Sequence, residues 1–276
     1  MGWLESFIES TAWKIAEPQS FSLFHLILVL IGFPICIFLA VKLRNLSEKG
    51  NRILLFGVGA YLIISEIYKQ LFYYFHVGDN SYCWWIFPFQ LCSVPMYLCI
   101  ISSLVKSEKI QKGMLNFMFT YNLLGGFMAF VEPSGVFDEY LTITIHSIIW
   151  HFSLIFIGVY LGLSKHTGKT KKDFISATYT FLALCALAFS INLIFRDVSE
   201  GDVNMFFVGP SNSSLAVFKQ ISEYCGWYVS TILYIPSVCL GAYLIFLLFK
   251  FITKEKNKPF EEKILSDESI PESVTV

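Results

Sequence analysis

Apolar, uncharged stretches of roughly 20 residues follow one another along almost the whole of this chain. That repetition limits the fold more than any motif does. A bilayer's hydrocarbon core is about 30 Å thick, a distance that a helix covers in about 20 residues. With 276 residues, 55% of them hydrophobic and only 15% charged, the chain has too little polar surface for an ordinary water-soluble domain. Only the two ends and a loop from about 196 to 227 are left for structure outside the membrane. The basic residues sit in short loops and form neither a groove nor a stripe, so nucleic-acid binding has no support.

Apolar windows predict helices at 21–41, 53–76, 84–105, 113–131, 141–163, 174–195 and 228–251, an all-α bundle of seven transmembrane helices. The loops orient it. Lys42, Arg44, Lys49 and Arg52 follow the first window, Lys106, Lys109 and Lys112 the third, and Lys165, Lys169, Lys171 and Lys172 the fifth; Lys250, Lys254, Lys256 and Lys258 follow the last. The opposite loops carry Asp79, then Glu132, Asp138 and Glu139, then Asp197, Glu200 and Asp202, with Arg196 and Lys219 as the clear positive charges after Lys14. By the positive-inside rule the N-terminus is outside and the C-terminus cytoplasmic. Residues 1–20 mix Trp3, Phe7, Ile8, Trp13 and Ile15 with Glu5, Glu9, Lys14 and Glu17, which predicts a short helix lying in the outer interface. The membrane domain then covers 21–252 with its outer loop at 196–227, and 253–276 is a charged, aromatic-poor tail expected to be solvated and disordered. No removable signal pattern, internal repeat or inverted pair of broken helices is evident.

Polar side chains inside a membrane usually have a function. At 1.5 Å per residue, Cys92 lies about 12 Å below Trp84, Glu66 about 15 Å below His76 and His151 about 16 Å below Tyr140. Asn192 is shallower, about 6 Å from Arg196. Three different windows therefore bring ionisable or nucleophilic groups to one level in the outer half, a pattern that suggests a pocket opening outward. Gln90 and Pro95 flank Cys92, and Pro95 leaves the Leu91 carbonyl without its helical donor, predicting a kink.

Each of these residues also has a plainer role open to it. A free cysteine usually packs as a small hydrophobe, which is the reading for Cys36, Cys99, Cys185 and Cys239. Cys83 and Cys225 both fall at the outer surface, where a disulfide is one possibility. His146 and His151 are about 140° apart around a helix and so do not form an i,i+4 metal pair; His146 shares a face with Trp150 and reads as packed and hydrogen-bonded. Glu66 either orients a histidine or pairs with Lys69. Val203 to Val208 either dips into the pocket mouth, with Ser211 capping a helix from about Asn212, or belongs to an interfacial cover over the bundle. A Cys with a His on a neighbouring helix is the arrangement of covalent acyl transfer, because the base makes the reactive thiolate accessible.

PFQLC at 88–92, WH followed by an aliphatic run at 150–160, and VNMFFVGPS then WY between 203 and 228 resemble, in that order, the transmembrane protein 164 family and its bacterial YwaF-like relatives. The resemblance implies phospholipid acyl transfer, yielding ether phospholipids with a polyunsaturated chain, and places the family's proposed catalytic Cys and His on Cys92 and His151. Asn204 and Pro210 match its Asn and Pro pattern, whereas Met205 stands where Tyr is expected. The resulting expectation is a lipid acyltransferase with membrane lipids as acyl donor and lysophospholipid acceptor, and with no cofactor, metal or nucleic acid. Gln90, Asn192 and Asn204 are its oxyanion candidates, and Glu66 and His146 line the pocket. The alternatives are a membrane lipid hydrolase and a small-molecule transporter. The membrane would be the plasma membrane in a bacterium and an endomembrane in a eukaryote.

Overall fold

The computed structural model describes residues 2–255; the expected tail lies, beyond residue 255, outside the described residues. Among the described residues six helical segments are long and apolar enough to cross a bilayer, at Leu23–Leu43, Glu48–Val77, Glu108–Val131, Leu141–Leu163, Lys171–Phe195 and Trp227–Thr253. They correspond to six of the seven apolar windows. Short polar residues set their starts: Ser22 and Ser47 accept from the His25 and Gly50 amides, and Thr170 forms a reciprocal capping box with Asp173. In chain order the helices are α1 (Trp3–Ser10), α2 (Leu23–Leu43), α3 (Glu48–Phe72), α4 (Val94–Leu104), α5 (Glu108–Phe117), α6 (Leu123–Val131), α7 (Leu141–Leu163), α8 (Lys171–Phe195), α9 (Ala216–Cys225) and α10 (Trp227–Glu255). A π-turn at Met118–Asn122 joins α5 and α6 into one rod, and another at Tyr73–Val77 extends α3.

The third window differs from expectation. In place of a kinked helix over 84–105 there is a 3₁₀ turn at Trp84–Ile86, non-helical chain to Ser93, and then α4, whose 11 residues reach only about 16 Å. The proline explains the difference. The helix begins one residue before Pro95, so the ring sits in the first turn, where a missing N–H leaves no bond unmade. The segment still runs beside α3 from end to end. Gln70 Nε2 donates to the Ile86 carbonyl at 2.8 Å, and Arg52 Nη1 donates to the Ser103 and Val105 carbonyls at 2.9 and 3.0 Å. About 27 Å of helix separates Arg52 from Gln70.

α2 packs on α7, α3 on α4 and α5 on α8, while α7 is also held by the α5–α6 rod and by α10. The core along the rod is aromatic, with Phe117, Phe119, Tyr121, Tyr160, Phe181, Phe206 and Phe246 all buried. Gly158 permits the close approach of α7 to the rod, since a Cβ there would lie 2.6 Å from Leu123 Cβ. At the N-terminus, α1 docks on the end of α3 through Glu9 and His76 (2.9 Å), and the chain after it pairs with the start of α7 through Lys14 and Tyr140. In the loop after α8, Val203, Met205, Phe206 and Val208 are buried. The helix expected from Asn212 starts instead at Ala216; the Ser211 hydroxyl donates to the Gly201 carbonyl at 2.8 Å, so it is spent bracing the turn and caps nothing. Cys83 and Cys225 are free thiols.

Candidate functional site

Cys92 occupies the turn that ends the non-helical stretch, with the Ser93 and Val94 amides both donating to the Gln90 carbonyl at 2.8 and 3.2 Å. Its thiol is free and partly exposed, against an apolar cluster of Leu62, Met96, Trp150 and Leu154. Trp150 Nε1 donates to the Cys92 carbonyl at 3.0 Å. A full helix over this window would have used that carbonyl internally; the break frees it for α7. The tie therefore links the cysteine's backbone to the residue immediately before His151.

His151 is buried, 9% exposed, with Phe130 edge-on to its ring at 6.3 Å. Its Nδ1 lies 2.7 Å from the Ser147 carbonyl. A carbonyl only accepts, so Nδ1 carries the proton and Nε2 of the neutral ring keeps its lone pair. That is the tautomer a proton acceptor needs. α7 thus supplies both the clamp on Cys92 and an imidazole with a defined basic nitrogen.

Glu66 is 4% exposed, and its Oε1 accepts from Lys69 Nζ at 2.9 Å and from Gln70 Nε2 at 2.7 Å. Of the two roles open to it in the sequence, the geometry is that of the ion pair with Lys69; Oε2 is buried without a partner. Lys69 Nζ lies 6.0 Å from the centre of the Trp150 ring, and His146 packs 5.5 Å from the same ring while its Nδ1 bonds Ser65 Oγ at 2.7 Å. Trp150 is the hub. It gathers a cation from α3, a histidine one turn earlier on α7, and the backbone of Cys92.

The amide side chains serve the loop. Gln90 accepts from the Phe206 amide at 2.9 Å and donates to the Asn204 carbonyl at 3.1 Å. Asn192 donates to the Met205 and Gly209 carbonyls at 3.0 and 2.8 Å and accepts from the Met205 amide. Asn204 Nδ2 donates to the Ser211 and Asn212 carbonyls at 3.2 and 3.0 Å. Gln90 and Asn192 pin the loop at 203–212 into the bundle, and Asn204 braces the loop internally. An open groove of about 690 Å³, lined by Ser81, Tyr82, Trp84 and the Val198 to Asp202 turn, includes neither Cys92 nor His151.

Two contributors escaped the sequence reading. Gln70 links the Glu66 pair to the Ile86 carbonyl, and its signal was an amide four residues after a buried acid. Asn122, fully buried in the π-turn of the rod, donates to the Leu154 carbonyl at 3.4 Å and leaves Oδ1 unpartnered; its signal was an amide inside an apolar window. Among the described residues no group of three or more His, Cys, Asp or Glu is placed to hold a metal ion.

A family model for TMEM164 matches residues 18–247, from just before α2 into α10, and so takes in Cys92, His151 and the loop at 196–227. No curated protein and no solved structure matches the chain. With most of its length inside one family model and six apolar helices of spanning length, this multi-pass integral membrane protein belongs to the TMEM164 family.

Proposed function

We propose that the protein is a lipid acyltransferase that carries the acyl chain on Cys92 as a thioester, with His151 as the base. The observation that carries this reading is the fixed tautomer of His151, next in sequence to the residue that holds the Cys92 carbonyl. His151 Nε2 takes the thiol proton while sulfur bonds the acyl carbonyl carbon of a donor lipid. The acyl C–O bond breaks, and the leaving alkoxide takes the proton from the imidazolium. A lysophospholipid hydroxyl then attacks the thioester, its proton passing to His151 and on to sulfur as the C–S bond breaks. Asn192 and Asn204 commit both amide hydrogens to loop carbonyls, whereas Gln90 commits one. Gln90, two residues before Cys92, is therefore the amide we assign to the developing oxyanion, with Glu66 and His146 bracing Trp150 from the side.

In the bilayer we place seven crossings, the third made by the 3₁₀ turn, the non-helical stretch and α4 together. Its alignment with α3 from Gln70 to Arg52 supports that passage, and the distribution of lysine and arginine supports an outer N-terminus and a cytoplasmic C-terminus. The thioester then forms in the outer half, where exclusion of water limits its hydrolysis.

The test is acylation of a lysophospholipid by purified protein supplied with a phospholipid donor. Cys92→Ala is expected to abolish it, and His151→Ala to slow it by about 10²–10⁴-fold. A hydroxylamine-labile acyl adduct is expected on the parent chain and not on the Cys92 variant. Unchanged transfer by Cys92→Ala sinks the proposal; release of free fatty acid without a new ester would make the protein a hydrolase.

A further inference from the structure

We propose that the groove between the first turns of α3 and the last turn of α4 is a binding site for an anionic membrane lipid, separate from the Cys92 site and independent of it. The groove holds about 350 Å³ and runs from Lys49 and Arg52 at one end along Ile53, Phe56, Gly57 and Leu104. Ile53, Phe56 and Leu104 are 63%, 48% and 64% exposed, so its walls are apolar and unpartnered within the chain. Gly57 forms its floor. A Cβ there would meet nothing within 4 Å, so the space is open.

The occupant follows from the charge at the end of the groove. Lys49 is exposed and makes no ion pair among the described residues, and Lys106 stands exposed just beyond α4. Lys49 also lies in the first turn of a 25-residue helix, where free amides and the helix dipole favour an anion. The end of α4 would oppose this with unpaired carbonyls. Arg52 removes that opposition by donating to the Ser103 and Val105 carbonyls, leaving its Nη2 edge 3.3 Å from exposed Glu48. Gly57 lies about 12 Å along the axis from Lys49. A ligand with a negative head and a long apolar chain matches both halves of the groove; a free phosphate leaves the apolar walls bare, and a zwitterionic lipid brings a quaternary ammonium to the basic end along with its phosphate. On α3 the groove ends five residues before Leu62, the buried α3 member of the cluster against which Cys92 packs, about 8 Å along the axis.

Native mass spectrometry of the purified full chain with phosphatidylglycerol and with phosphatidylcholine of the same chains tests this. Phosphatidylglycerol adducts are expected to outnumber phosphatidylcholine adducts, and Lys49→Ala to lower the former about fivefold while leaving the latter unchanged. Gly57→Leu fills the floor and is expected to displace the same adducts at an unchanged melting temperature; should it unfold, Gly57→Ala, one methyl into open space, is expected to give a partial loss. Equal retention of both lipids, or adducts indifferent to both the Lys49 and Gly57 variants, overturns the proposal. So does displacement by millimolar glycerol phosphate, which would make the site one for soluble phosphate, and so does a dimer in place of adducts.

Discussion

Helix α2 and the α5–α6 rod occupy opposite extremes of one property. The most apolar stretch of α2 has a mean hydropathy of 2.7 and is 11% buried, whereas that of the rod has 1.4 and is 67% buried. In water the order would be reversed. In a bilayer the outside is as apolar as the inside, so hydropathy reports lipid contact, and it is the polar residues that mark the interior. The rod carries Asn116, Thr120 and Asn122 in its buried face, while α2 presents side chains such as Leu30, 72% exposed, to the lipid. Polar residues of the candidate site follow the same rule. Glu66, Gln90, His151 and Asn192 sit in less apolar segments and are held by named partners.

Substitutions at the two extremes sharpen or break this contrast. The largest effect is expected for Gly158→Leu, which drives α7 off the rod against Leu123; a cost of about 3 kcal/mol or more should appear as loss of folded monomer on size-exclusion chromatography in detergent. Asn192→Leu removes one amide that serves three backbone groups of the 203–209 loop and leaves them unpaired in the interior. A loss of about 2 kcal/mol is expected, read as a lower melting temperature with earlier proteolysis within 196–227.

Lys169 probes the loop at the foot of the rod. Its Nζ donates to Thr167 Oγ1 at 2.6 Å and lies 4.5 Å from the centre of the Phe119 ring, and burial lowers its pKa to about 8. Between about 8 and 10.5 the unfolded chain holds the proton that the folded chain has released, so stability rises with pH across that window and is lowest below it. Lys169→Met should flatten this dependence, with a gain on the order of 1 kcal/mol at pH 7 that vanishes by about pH 10.5, measured by melting curves at several pH values. The smallest effect belongs to α2. Leu30→Ala on its lipid face is expected to change stability by less than about 0.5 kcal/mol, and a change as large as that at Gly158 would break the comparison.

The six long helices were legible because lipid leaves a chain few ways to satisfy its backbone, and apolar windows with basic loops between them encode that solution. The pair of Glu66 with Lys69 was legible as well, since three residues of helix suffice to bring them together. The third window was not. Its composition is that of a spanning helix, but Pro95 sits at a helix start instead of a kink, and only the neighbouring Gln70 and Trp150 show where the freed carbonyls find donors. Gln90, Asn192 and Asn204 were visible as polar candidates, yet one amide looks the same whether it faces a substrate or braces a loop.

By itself the sequence determined that this is an all-helical membrane protein, and that His146 and His151 point different ways; the depth assigned to Cys92 assumed a helix from Trp84 that the chain does not form there. Those properties follow from local periodicity and from the free energy of placing each side chain in lipid. Tertiary structure alone decided that Trp150 ties the Cys92 backbone to α7 and that the Asn192 amide is already committed to the loop. A hydrogen bond depends on where a second segment, distant in sequence, places its donor or acceptor, and no local pattern records that position.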